Sequence, residues 1–151
     1  MSRQEAKIEQ GAQPLLDEGE QVLAAVVARP RGWTQTMAGS AMLGRKQQKG
    51  AYAAAEEAGF RLASPMALVV TPKRLLTLKI GSPIGLGIGG DVKELVSAVP
   101  IGDVDSIEVK RLLLGRVITV TVRGAPVKLE VNAMAGTKRL ADAFNRAKAA
   151  A

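Results

Sequence analysis

The side chains that could do chemistry in this chain are charged rather than nucleophilic, and most are basic. Histidine and cysteine are absent from all 151 residues. No Ser–His or Cys–His pair can form, and the usual ligands of a structural zinc ion are missing. Gly85-x-Gly87-x-x-Gly90 has the spacing of a dinucleotide-binding loop. That chemistry needs a preceding strand and a following helix whose N-terminus faces a pyrophosphate. Pro100 and β-forming residues follow too soon for a crossover helix, so the segment reads as a hairpin loop. Its Ile84, Leu86 and Ile88 would then be free to meet a membrane or a partner. Asp103 and Asp105, with Glu108 beyond, are too few oxygen donors for a calcium loop and read as an acid-bordered turn. Neither a catalytic residue, a metal site nor a cofactor site is expected.

The basic residues offer more. Lys73-Arg74 falls at a tight turn, where two cations can meet phosphate groups. Arg45-Lys46-Gln47-Gln48-Lys49 follows Met37, Met42 and Leu43 and has the make-up of a basic, weakly apolar interfacial segment or of a docking helix. Arg29 and Arg31 precede it. The candidate anion- or partner-binding residues are thus Arg29, Arg31, Arg45, Lys46, Lys49, Lys73 and Arg74. Trp33, the lone tryptophan, joins Met42 and Leu43 as a candidate interface anchor.

Charge is distributed unevenly. The net is −2 over residues 1–30, +5 over 31–74 and +4 over 75–151, giving +7 in total. A surplus of this size favours anionic partners, whether protein, lipid headgroup or nucleic acid. Aromatic residues are only 3%, which disfavours base stacking on single strands, and no helix-turn-helix or zinc finger is visible. The polar opening Ser2 to Lys7 lacks the apolar core of a secretory leader. No stretch approaches the roughly 18 apolar residues of a spanning helix. A cytoplasmic protein, peripheral at the membrane if it meets lipid, is the expectation.

These residues need a scaffold, and the length fits one domain, residues 1–151. Ser2 and Glu5 match a capping box, so the N-terminal segment 1–14 should hold a helix from Arg3 to about Gln10, ended by Gly11 and Pro14. Gln21–Ala28 reads as a buried strand stopped by Pro30 and Gly32. Residues 33–64 read as an insertion, with a helix over Gln47–Ala58. Strands follow at Met66–Val70 and Leu75–Ile80, joined by Thr71-Pro72-Lys73-Arg74, and at Glu94–Val99. Alternation then predicts a meander from Ser106 to Val131 with turns near Leu114-Gly115 and Arg123–Pro126. Asn132 would cap a final helix over 133–149, with Leu140, Ala141, Phe144 and Ala147 on one face.

About seven strands closed by one C-terminal helix resembles the pleckstrin-homology-like barrel. Three short motifs carry the likeness. Leu16-Asp17-Glu18-Gly19-Glu20-Gln21-Val22 is similar to the first-strand entry of bacterial and GRAM-like members. Leu68-Val69-Val70-Thr71-Pro72-Lys73-Arg74-Leu75-Leu76 is similar to their hairpin, and Val99-Pro100-Ile101-Gly102-Asp103-Val104 to their proline-led turn. The match covers 15–29 and 66–148 and leaves 33–64 as an insertion between the first two strands. The resemblance implies a mainly β, α+β fold and a non-enzymatic binding module, recognising a protein partner or an anionic lipid surface. Lipid-binding members carry spaced Lys/Arg along the first two strands and their loop. The counterparts here are Arg29, Arg31, Arg45, Lys46 and Lys49, without the first-strand lysine. A homo-oligomer through sheet edges or the inserted helix is compatible with this layout, and an electrostatic nucleic-acid binder is the alternative.

Overall fold

Met66-Ala67-Leu68-Val69-Val70 is apolar at every position, and all five residues are buried. A strand of that kind has no solvent face, so both sides of its sheet must be covered. The computed structural model describes residues 3–32, 39, 41–81, 91–113, 115–132 and 135–151. Their elements are α1 (Arg3–Ala12), β1 (Ala24–Pro30), α2 (Ala41–Glu57), β2 (Met66–Val70), β3 (Arg74–Ile80), β4 (Val92–Pro100), β5 (Val104–Leu112), β6 (Gly115–Val122), β7 (Ala125–Val131) and α3 (Thr137–Ala150). Short 3-10 turns lie at Gln13–Leu15 and Ile101–Asp103. Among the described residues, seven strands form one sheet in the order β4-β3-β2-β1-β7-β6-β5.

Every pairing is antiparallel, and β1 serves both halves. Its residues Ala24–Ala28 pair with β2, and Ala28–Pro30 pair with β7. Ala28 is therefore the point where the sheet passes from β1–β4 to β5–β7. β1 starts at Ala24, three residues after the expected Gln21, and runs two residues past Ala28 to end on Pro30 itself. β2 begins opposite Ala28, so no neighbour on that side requires an N–H from Pro30.

Two apolar clusters lie on the two faces. The inner one joins Val26, Met66, Leu68, Leu75, Ile118, Val120 and Leu129 to the helices. From α3 it takes Leu140, Ala143, Phe144 and Ala147. From α2 and the segment after it come Ala51, Ala55, Ala58, Phe60 and Leu62. α2 lies against β7 and β1, whereas α3 lies against β5, β1 and β2. The outer cluster sets Ile8 and Ala12 of α1 on Ala25, Val69, Leu76, Leu78 and Ile80. With α1 on one side and the barrel interior on the other, β2 needs no polar residue.

The helices depart from their expected bounds for packing reasons. α1 runs through Gly11 because that residue touches β4; a Cβ there would stand 2.7 Å from Val92 Cγ2. α2 starts at Ala41, six residues before the expected Gln47, and includes Gly44 and Gly50. Each glycine costs roughly 1 kcal/mol of helix propensity relative to Ala. Close approach of the helix to the end of β1 is shown at Gly32, where a Cβ would fall 2.4 Å from the Gly44 carbonyl oxygen. α3 starts at Thr137, and its cap position is Gly136, not Asn132. Arg116 fixes that first turn by donating to Thr137 Oγ1 at 2.7 Å.

Candidate functional site

α2 presents two different faces. Gly44, Ala51 and Ala55 are buried, as is Ala58 just past the helix end, with Gln47, Gln48 and Ala54 half-buried beside them. This small-residue stripe lets the helix sit close to β7 and β1. Met42, Arg45, Lys46 and Lys49 are all exposed. Their i, i+3, i+4, i+7 spacing puts them on one outer face. Met42 is 88% exposed and the adjoining Leu43 is 50% exposed. No acidic residue occurs in the helix before Glu56. Arg45, Lys46, Lys49, Met42 and Leu43 are thus brought together, while Trp33 lies outside the described residues.

The other basic candidates go elsewhere. Arg31 donates to Glu130 Oε1 at 2.6 Å, and that oxygen also accepts from the Gly32 N–H at 3.0 Å. This pair ties the end of β1 to β7 at the root of the insertion. Arg29 is half-buried, and desolvation lowers its pKa. Lys73 and Arg74 part company: Lys73 is exposed, and Arg74 turns to the buried carboxylate of Glu20.

That carboxylate is the most strongly perturbed group described. Arg74 Nη2 and Nε donate to it at 2.6 and 3.0 Å, and Thr71 Oγ1 donates at 2.6 Å. The hydrogen bonds from Arg74, then that from Thr71, outweigh the cost of burial and hold Glu20 at about 2. Glu20 raises the pKa of Arg74 in return. The cluster joins the entry to β1 with the β2–β3 turn, so Arg74 is a structural anchor with its charge already matched.

Asp103 and Asp105 also hold a turn. Asp103 Oδ2 accepts from Arg123 at 2.8 Å, and Asp105 Oδ2 accepts from the Gly124 N–H at 2.7 Å. Arg123 has φ 48°, so these bonds stabilise an uncommon backbone state at the β6–β7 turn. Among the described residues, no three carboxylates gather as a metal site. The Gly85–Gly90 loop lies outside the described residues.

Sequence reasoning overlooked two features. Glu5, expected to cap α1, is buried and accepts the Ala25 N–H at 3.1 Å. Its carboxylate also meets Arg139 at 3.0 Å, and Arg139 donates to the Leu23 carbonyl at 3.2 Å. The Ala25 N–H lies on the edge of β1 before β7 joins, so side chains from α1 and α3 finish what a strand would have bonded. The second feature is the β5–β6 tip, where Leu112 is 37% and Leu113 98% exposed. Three successive leucines between Arg111 and Arg116 were the available signal. A shallow groove also runs along the outer face of α3, lined by Lys138, Arg139, Asp142, Asn145 and Arg146.

No protein-family model and no curated protein matches the chain. Solved structures do. A DUF1696 family protein with a pleckstrin-homology domain from Shewanella loihica PV-4 is similar at TM-score 0.50 and 14% identity, over 95% of this chain and 92% of that one. A pleckstrin homology domain from Shewanella amazonensis SB2B is similar at TM-score 0.50 and 13% identity, over 95% and 96%. The chain therefore has the pleckstrin-homology-like fold: a seven-stranded antiparallel sheet with a C-terminal helix. Among the described residues no helix is long and apolar enough to cross a membrane.

Proposed function

We propose that this chain is a non-enzymatic interaction module that recognises an acidic protein surface through the outer face of α2. One observation carries the reading. Met42, Arg45, Lys46 and Lys49 share an exposed face with no acidic neighbour in the helix before Glu56, while the opposite face is packed on the barrel. Exposed Met and Arg are the residues that interfaces favour, and the cationic surround favours an acidic partner. Direct lipid contact by α2 is the weaker version. An interfacial helix must bury a broad apolar face in the bilayer, and the inward stripe of this one already covers β7 and β1. Nucleic-acid binding is weaker still, since Tyr52 is the one aromatic residue of α2, whereas single-strand binders stack successive bases on several.

A photo-cross-linking amino acid at position 46 tests the assignment in cells of the source organism. The expected result is one defined protein adduct at 46 and none at the exposed control position Gln13. Arg45→Glu with Lys49→Glu should suppress it, as should about 1 M salt, where the Debye length is about 3 Å. An adduct indifferent to charge reversal, or none above the control, refutes the role of this face.

A further inference from the structure

We propose that the β5–β6 hairpin tip is a membrane-contact site that enters an anionic bilayer. This does not rest on the role assigned to α2, which packs on β7; the tip joins β5 to β6. The tip combines two unmatched properties. Leu113 is 98% exposed and Leu112 37% exposed, so apolar surface projects from the end of a hairpin.

A collar of cations stands just behind. Arg111 and Arg116 face each other directly across the ladder, and Lys110 precedes Arg111. Like charges directly opposite destabilise a strand pair. Among the described residues neither arginine forms an ion pair, and residues 109–129 contain no Asp or Glu. Among the described residues Arg116 donates to the neutral hydroxyl of Thr137, at 2.7 Å, and this brings the exposed Lys138 at the start of α3 beside the collar. An arrangement that repels itself in the free protein is relieved when phosphates lie between the arginines.

The two properties together select the occupant. Leucines alone would suit a protein groove, and arginines alone would suit a free phosphate. A leucine tip with a cationic ring behind it matches a bilayer, where acyl chains lie just beneath a plane of anionic headgroups. The collar has cations on both strands, so it can meet a plane of phosphates.

The chain has no cysteine, so Leu113→Cys admits a single environment-sensitive fluorophore such as NBD. With vesicles of phosphatidylglycerol and phosphatidylcholine the emission should shift to the blue and brighten. With phosphatidylcholine alone it should stay water-like, and a label at Lys46→Cys should stay water-like with both. In unlabelled protein, Arg111→Gln with Arg116→Gln should weaken co-sedimentation about thirtyfold, at roughly fivefold per arginine. Leu112→Asp with Leu113→Asp should abolish it with the thermal melt unchanged. A water-like label at 113 on vesicles that carry the protein down overturns the proposal, as does an equal shift on neutral vesicles. Full competition by millimolar inorganic phosphate would reassign the collar to a free anion and overturn it too. The adduct at position 46 is read separately, so either surface can fail while the other stands.

Discussion

Glu20 sets the acid response of this molecule more than any other described residue. Its carboxylate lies near 4.5 in the unfolded chain and at about 2 in the fold. The folded state therefore binds this proton less tightly. The stabilisation is complete above about pH 5 and is lost as pH falls through 4.5 towards 2, a total of about 3 kcal/mol. Urea midpoints at pH 7 and pH 3 check the sign. The wild type should lose stability on acidification, and Glu20→Gln, already weakened at pH 7, should lose about 2 kcal/mol less over that range, the rest of the term being lost only below pH 3. Glu5 poses a different question. Removing it orphans the Ala25 N–H and takes the carboxylate from Arg139, which keeps its bond to the Leu23 carbonyl, so Glu5→Ala should cost about 1–3 kcal/mol at neutral pH. A thermal melt indistinguishable from wild type would mean that water satisfies this edge of β1 as well as the side chains do.

At the scale of elements, small residues govern how α2 docks. Gly32 has φ 111°, and a side chain there would run into the Gly44 carbonyl. Gly32→Ala should cost about 2 kcal/mol or more and lower the melting temperature by roughly 4–8 °C. Gly19 has φ 79° but open space around its missing Cβ, so Gly19→Ala should cost less. Calorimetry on the pair separates backbone strain from the loss of helix docking. α3 contributes by filling volume. Phe144 is buried to within 1% and closes the inner cluster, so Phe144→Ala should cost about 3–5 kcal/mol in a urea titration.

For the whole molecule, β1 explains how the two proposed recognition surfaces can coexist. It joins β2–β4 to β5–β7, leaving α2 to follow β7 and α3 to follow β5, with β6 between those strands. The α2 face and the hairpin tip thus stand on separate elements and share no residue. The proposals predict additivity: a variant reversed at Arg45 and Lys49 should sediment with anionic vesicles as wild type does, and a tip variant should keep its partner adduct. Coupling of more than about 0.5 kcal/mol between the two sets would show that they form one site.

Much of the strand layout was legible because alternation and turn residues are local signals. Met66–Val70, the Thr71–Arg74 turn and the β5–β7 meander needed only neighbouring residues to be read. Leu140 and Phe144 likewise declared the inward face of α3 by their spacing. The early start of α2 and the passage of α1 through Gly11 were not legible, because each depends on a close approach between residues far apart in the chain. The candidate site divides in the same way. Of the basic residues at 45, 46 and 49, only Lys49 fell within the expected helix, so their common face emerged only with the early start of α2 at Ala41.

Tertiary structure alone decided which cations remain available. Lys73 and Arg74 are neighbours in sequence, yet only the folded chain brings Glu20 to Arg74 across 54 positions and Glu130 to Arg31 across 99. Residue types and local periodicity determine what a side chain is and which way its element turns it. Whether its charge is matched depends on partners that meet only when strands distant in sequence share a sheet.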